Sequence, residues 1–258
     1  MFSMTIYLQG LGVVAVAAFC TWLLSLRLRN VAVVDSLWSL MFLMTACTYA
    51  LGAPRVGPRA GLMLLLVGVW AVRLCLYITL RNAGQGEDRR YQAIRARNEP
   101  HFGLKSLYLV FGLQAALAWV ISLPVLGSIL NPRPLRALDI AGVGLWLLGF
   151  VFEAGGDWQL ARFKALPANR GKVMDRGFWR FTRHPNYFGD FCVWWGFYLI
   201  AVSAGAWWSI AGPLVMSLLL LRVSGVVLLE KDIGQRRPSY EDYVRRTNAF
   251  FPGPTKGQ

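Results

Sequence analysis

Acidic residues and histidines are scarce in this chain. Of 258 residues, 13 are Asp or Glu, 2 are His and 4 are Cys, and charged residues reach only 16%. A soluble domain usually carries about 25% charge. With 56% hydrophobic residues and a mean hydropathy of +0.45, the shortage argues against a soluble enzyme, a disordered chain or a secreted disulfide scaffold. Cys20, Cys47, Cys75 and Cys192 all lie in apolar runs without paired spacing, which points to core packing and not to disulfides or metal ligands. With only His101 and His184 available, a His/Cys metal site is not expected. There is no convincing internal repeat and no low-complexity tract. A soluble nucleotide fold is missing too: Gly142-Val143-Gly144 lacks the third glycine and lies in an apolar run, not after a strand. The first run has no basic n-region, so a cleaved signal peptide is not expected.

Long apolar runs are what the chain does have. They predict helices at roughly 4–26, 31–51, 60–80, 107–130, 137–160, 187–205 and 209–229. A membrane span needs about 20 mainly apolar residues, and each run is close to that. Breaks such as Gly52-Ala53-Pro54-Arg55 and Asn131-Pro132-Arg133-Pro134 separate them, while only Gly205-Ala206-Trp207-Trp208 divides the last two into a tight hairpin. The expected fold is an all-α integral membrane protein with seven transmembrane helices.

The net charge of +14 invites a nucleic-acid reading, but the basic residues follow topology. With seven spans, one face receives two Lys/Arg in 27–30, six in 81–106, seven in 161–186 and six in 230–258. The other face receives only Arg55, Arg59, Arg133 and Arg136. This is a positive-inside pattern. It predicts an N-terminus outside, a cytosolic C-terminus, a lipid bilayer as partner and no nucleic acid.

Ionisable residues inside spans are costly, and are functional candidates by default. Asp35 stands in Val33-Val34-Asp35-Ser36-Leu37-Trp38 near the start of the second run. Arg73 and Tyr77 are four apart on the third, as are Glu153 and Asp157 on the fifth, with Lys164 seven further on. Asp190 sits early in the sixth run, and Arg222 and Glu230 bracket the end of the seventh. Mutual pairing that locks the helices would explain any one of these. The whole set, gathered at the cytosolic third, points to a water-accessible pocket.

Residues 175–190 are the most informative. Pro185 suits the first turn of a helix, and helix N-termini favour anions. Arg176, Arg180 and Arg183 precede that start, and Asn186, Tyr187 and Asp190 follow it. A phosphate-bearing ligand is the natural occupant. The loop Arg81-Asn82-Ala83-Gly84-Gln85-Gly86-Glu87-Asp88-Arg89-Arg90-Tyr91 mixes signs, which suggests a folded loop rather than a basic lipid-binding tail. Pro238-Ser239-Tyr240-Glu241-Asp242-Tyr243 reads as a short amphipathic segment closing over the same face.

The run Arg183-His184-Pro185-Asn186-Tyr187-Phe188-Gly189-Asp190, then a hydrophobic hairpin, Glu230 and Tyr240-Glu241-Asp242-Tyr243, resembles the C-terminal domain of the steroid 5α-reductases. Their bacterial homologues share the Val34-Asp35-Ser36-Leu37-Trp38 and Glu87-Asp88-Arg89-Arg90-Tyr91 patterns. The likeness covers most of 30–258 and is strongest over 153–258. Sterol C14 and C7 reductases and isoprenylcysteine carboxyl methyltransferases share the Arg-His-Pro element, so it marks the superfamily more sharply than the reaction.

The resemblance implies an NADPH-dependent membrane reductase acting on the C4–C5 double bond of a 3-oxo-Δ4 steroid or related lipid enone. It assigns residues 1–130 mainly to substrate and 131–258 mainly to cofactor. By position, the NADPH contacts would be Asn82, Asp157, Lys164, Lys172, Arg180, His184, Asn186, Tyr187, Asp190 and Glu230. Lys164 and Lys172 stand where the family has arginines, keeping the charge and losing the bidentate fork. Asp35 matches the acid of the family's carbonyl-polarising pair. The tyrosine position falls at Trp70 or Ala71, leaving Tyr77 or Arg73 to assist, with Trp38 and Trp70 beside the substrate. An acid can donate to a developing enolate only when protonated, which apolar surroundings favour. The rivals are an S-adenosylmethionine-dependent membrane methyltransferase, which would need carboxylates for its cationic cofactor, and a non-enzymatic lipid-binding scaffold.

Overall fold

The computed structural model describes residues 2–223 and 239–255. Among these the fold is all-helical, with no strand. The helices are α1 (Met4–Leu28), α2 (Val33–Gly52), α3 (Pro58–Asn82), α4 (Arg89–Asn98), α5 (Phe102–Ile121), α6 (Leu123–Ile129), α7 (Ala137–Ala165), α8 (Pro185–Ser203), α9 (Trp207–Arg222) and α10 (Ser239–Arg246). Five of them, α1, α2, α3, α5 and α7, are long and apolar enough to cross a membrane. Leu8, Val16, Leu65, Leu76, Leu80, Ile140 and Val151 on these helices are exposed, as a lipid-facing surface requires.

The expected runs at 187–205 and 209–229 fall outside that set of five. The helix forms in both places, but polar Asn186 and Asp190 in the opening turns of α8 dilute its apolar character. α9 is a shorter apolar helix whose continuation lies outside the described residues. The expected turn between the two is present: Gly205, at φ 81°, takes the left-handed conformation that a side chain would resist, and Ala206 N donates to Ala201 O at 2.8 Å. The cysteines correct the sequence reading. Only Cys192 is buried, Cys75 is half-buried, and Cys20 and Cys47 are exposed.

The chain divides into two compact units. The N-terminal unit is Met1–Arg136 with Ala201–Ala211, and the C-terminal unit is Ala137–Ile200 with Gly212–Gln258. In the N-terminal unit α2 packs between α1 and α3, and α5 lies against α1 and α2. Polar side chains staple these helices. Tyr49 and Ser122 share a 2.7 Å hydrogen bond, and Trp119 Nε1 donates to Tyr7 O at 2.8 Å. Buried Arg59 donates to Arg133 O at 3.3 Å and Pro134 O at 3.1 Å.

In the C-terminal unit α7 and α8 meet along a glycine seam. Gly142, Gly149 and Gly156 recur every seventh residue on α7, opposite Gly196, Gly189 and Pro185 on α8. A Cβ on Gly149 would lie 2.5 Å from Gly189 O, and one on Gly196 would lie 2.8 Å from Gly142 O. Small residues let membrane helices approach to van der Waals contact of their backbones. That seam holds the start of α8, with its polar residues, against α7.

Candidate functional site

Two polar constellations stand out, one in each unit. The first is built around Asp35 in the opening turn of α2. Tyr91 OH donates to Asp35 Oδ1 at 2.5 Å, and Arg90 Nη2 donates to Asp35 Oδ2 at 3.0 Å. Arg90 is itself held by Asp88, with Nε to Oδ1 at 3.0 Å. Gln114 Nε2 of α5 donates to Tyr91 OH at 3.1 Å. Asp35 keeps 14% of its side chain exposed, and Tyr91 is buried. Both carboxyl oxygens of Asp35 are therefore acceptors, and a phenol stands against one of them.

The segment after α3 is folded for this task. Asp88 caps α4 by accepting from Arg90 N at 2.8 Å. Glu87 accepts from Arg95 through both of its oxygens, at 2.8 and 2.9 Å, and from Val31 N at 2.9 Å. The guanidinium of Arg95 also lies 4.6 Å over the Phe102 ring. Glu87 thus ties the chain just before α2 to α4, which puts Arg90 and Tyr91 on Asp35.

The electrostatics follow. Burial, then the Asp35 charge and the hydrogen bond to it, push the Tyr91 phenol well above its ordinary range, so it stays protonated. Burial opposes the Arg90 charge, but Asp35 and Asp88 outweigh it and hold Arg90 above the usual arginine range. Burial would raise the Glu87 and Asp88 carboxyls, yet the hydrogen bonds from Arg95 and Arg90 hold both below the usual carboxylate range.

The other residues expected on the substrate side are more dispersed. Trp38 is half-buried and meets Phe42 edge-on at 5.1 Å, and Phe42 meets fully buried Trp70 at 5.7 Å. Tyr77 is half-buried with Arg81 5.7 Å over its ring, and Arg73 is half-buried on α3. Asn82 ends α3 and accepts from Arg81 Nε at 3.2 Å.

The remaining cofactor candidates other than Glu230 lie in the C-terminal unit, where two pairs of them touch and form the second constellation. Asn186 Nδ2 donates to buried Asp157 Oδ1 at 3.1 Å. Buried His184 stacks on Tyr187 with ring centroids 5.7 Å apart and planes within 7°. Asp190 is half-buried one helical turn on from Asn186. Lys164 and Arg180 are exposed. Lys172 lines a cavity of about 670 Å³ together with Arg162, Asn169, Asp175 and Arg176. Glu230 lies outside the described residues. Among the described residues no group of three or more His, Cys, Asp or Glu is placed to hold a metal ion.

Arg183 has a different task from the one its motif suggests. It is buried, and its Nη1 donates to Thr247 O at 2.6 Å and Val244 O at 3.2 Å. Thr182 Oγ1 donates to Phe250 O at 2.8 Å, Arg183 N donates to Asn248 O at 2.9 Å, and Tyr243 OH donates to Trp179 O. Arg246 pairs with Asp175 at 2.8 Å. The tail after α10 is thus fastened along 175–183, as an amphipathic closing segment should be.

Three residues at the first constellation escaped the sequence reading as site residues: Arg90, Tyr91 and Gln114. The first two lie in the Glu87-to-Tyr91 pattern. Gln114 is a solitary amide within an apolar run, a signal of the kind that singled out Asp35.

Residues 21–247 match a family described as protein of unknown function, DUF1295. The chain belongs to the DUF1295 family. No steroid 5α-reductase family is matched, so the narrower resemblance is not carried by this finding. A protein similar to it is an uncharacterised protein, C594.04c, of Schizosaccharomyces pombe. The two are 25% identical over 267 residues, which is 90% of this chain and 75% of the yeast protein. No solved structure matches.

Proposed function

We propose that this DUF1295 protein is a membrane reductase that uses NADPH to saturate the double bond of a lipid enone, of the 3-oxo-Δ4 steroid type. The observation that carries the reading is the hydrogen-bonded acid and phenol, Asp35 and Tyr91, at the end of an apolar helical unit. Enone reduction builds negative charge on the substrate's oxygen, and a fixed donor lowers that barrier. Tyr91 holds the needed hydrogen, which turns from Asp35 Oδ1 to the substrate's oxygen when substrate is bound. Asp35, Arg90 and Gln114 fix the phenol's position, and apolar α1, α2, α3 and α5 exclude water from the substrate's body. Asp35 in its protonated form is the alternative donor at the same place.

When bound, NADPH would supply the hydride for the β-carbon, and the α-carbon would take its proton from water. The donor set of the C-terminal unit fits such a group. Lys172, Arg162 and Arg176 around one cavity suit phosphates, and Asp157 with Asn186 suits a ribose or amide. Lys164, Arg180, His184, Tyr187 and Asp190 lie along the same stretch of chain. A methyltransferase using S-adenosylmethionine is the competing reading, favoured by the buried carboxylates Glu153 and Asp157. We further propose that α8 and α9 complete seven spans. α8, at 19 residues, is about 28 Å long, close to the thickness of a hydrocarbon core. The basic loops then face the cytosol, and the N-terminus faces outward.

Product analysis tests the reaction. Detergent-purified protein incubated with NADPH and a 3-oxo-Δ4 steroid should yield the saturated ketone. Tyr91→Phe and Asp35→Asn should each lower turnover by about 10²-fold or more while NADPH still binds. Full turnover in both variants would remove the acid and phenol from the chemistry.

A further inference from the structure

The cavity of about 670 Å³ in the C-terminal unit has a wall that is held from two sides. The loop that bounds it is folded. Asn169 Nδ2 donates to Phe163 O at 2.9 Å, Lys172 N donates to Asn169 O at 3.0 Å, and Gly171 takes the left-handed conformation at φ 80°. Beyond Asp175 and Arg176, Phe178 N donates to Gln159 Oε1 at 3.0 Å and Trp179 Nε1 donates to Gly156 O at 3.0 Å, which ties the segment to α7. The tail holds the same segment from its other side. Arg183 grips Val244 O and Thr247 O, which flank Arg246. Arg246 Nη2 then donates to Asp175 Oδ2 at 2.8 Å.

That last pair does little as a fastening. Its side chains are 47% and 32% exposed, and exposed ion pairs contribute little to stability. Arg183 and the bond from Tyr243 OH to Trp179 O already dock the tail. The charge of the pair matters more. Arg162, Lys172 and Arg176 bring three cations to the cavity, and Asp175 is the only acid in its lining. Arg162 rests 4.9 Å over the ring of Trp158, a contact that leaves its positive charge in place. A bare carboxylate in this wall repels an anion, and a carboxylate engaged by a guanidinium repels it far less.

We propose that the cavity binds a phosphate group, and that Arg246 is a positioning residue that makes it an anion site by engaging the one carboxylate in its wall. The inference deepens the reading of this cavity as the place for the cofactor's phosphates, and rests on it. Arg162, Lys172 and Arg176 meet the phosphate. Arg246 acts through Asp175, so a docked tail is a condition of binding.

The test is a double-mutant cycle on full-length protein in detergent, at low ionic strength so that charge is not screened. The probe is inorganic pyrophosphate, titrated calorimetrically. Wild type should bind it. Arg246→Ala should weaken binding about tenfold, with the tail still protected from proteolysis by the Arg183 clasp. Adding Asp175→Asn to that variant should restore the affinity to within about threefold of wild type, because the repelling charge is gone. A residue that only docked the tail would not be rescued this way. Three results would overturn the inference: no binding of pyrophosphate to wild type, an unchanged affinity in Arg246→Ala, or a loss that Asp175→Asn does not repair. NADPH is titrated separately. Binding of pyrophosphate with rescue, but none of NADPH, would sink the reductase reading and leave the anion site standing.

Discussion

The two polar constellations handle charge in opposite ways. In the N-terminal unit, charged side chains bind one another: Asp35 with Arg90, Arg90 with Asp88, Glu87 with Arg95. The result is a tied network that presents an acid, a phenol and an amide. In the C-terminal unit, the conspicuous Arg183 binds main-chain carbonyls of the tail, and the neighbouring Thr182 does the same. An arginine in a recognisable motif is thus a structural clasp, while a less conspicuous loop supplies the partners of the buried acid. Prominence in the sequence is a poor guide to which polar groups remain available to a ligand.

The comparison can be broken at four points. The largest effect is expected at the glycine seam. Gly149→Leu places a branched side chain where even a Cβ lies 2.5 Å from Gly189 O and 2.6 Å from Val193 N. Backbone cannot step aside as a side chain can, so a loss of about 3 kcal/mol or more is expected, read as a sharply lowered unfolding midpoint. Near-wild-type stability would mean that α7 and α8 are not in backbone contact.

Next is the clasp. Arg183→Ala removes two charge-assisted bonds and leaves buried carbonyls unmet, costing about 2–4 kcal/mol. Limited proteolysis should cut the tail within 239–255 while α1 to α3 stay protected. If nucleotide binding is lost and the tail stays protected, Arg183 is a ligand contact after all and the contrast fails.

Tyr91→Phe should be milder for stability, about 1–2 kcal/mol, since one donor to Asp35 is lost. Unchanged melting in this variant would mean that the network is looser than its distances imply.

The smallest effect is the response of Glu87 to acid. Its folded pKa is depressed below the ordinary value of about 4.3, so its ion pair with Arg95 contributes fully above that value. The contribution is lost as the pH falls through the lower, folded pKa. The protection factors of the α4 amides, corrected for the intrinsic pH dependence of exchange, should be flat from about pH 7 to 5 and fall only below about 4, and Glu87→Gln should abolish that fall. A loss of protection near neutral pH would contradict the assignment.

Much of the fold was legible because a bilayer imposes it. The runs at 4–26, 31–51, 60–80 and 137–160 correspond to α1, α2, α3 and α7, since each needs an unbroken apolar stretch of the same length. The run at 107–130 is divided into α5 and α6, with Phe102 and not Leu107 beginning the helix. α4 was hidden because its residues are polar and carry no apolar period. Gly142, Gly149 and Gly156 were visible at a seven-residue interval, but an interval on one helix does not name the helix it faces.

Of the candidate site around Asp35, only the acid was legible. Asp35 announced itself as a carboxyl in an apolar run, and Asp157 and Asn186 as polar groups in helices that indeed pair. Arg90 and Tyr91 lie 55 and 56 residues from Asp35. Nothing in a single sequence states that separation as a contact. It depends on Glu87 gripping Val31 N and Arg95 together, a three-way tie that composition and periodicity do not record.

The central claim is tested most directly by thermal unfolding of the detergent-purified protein, alone and with NADPH, NADH or S-adenosylmethionine. A ligand that binds only the native state stabilises it by mass action, by about 2.7 kcal/mol at a hundredfold excess over its dissociation constant. The reductase reading predicts a raised midpoint with NADPH, a smaller or absent shift with NADH and none with S-adenosylmethionine. A shift with S-adenosylmethionine alone would contradict it and transfer the protein to the methyltransferase reading.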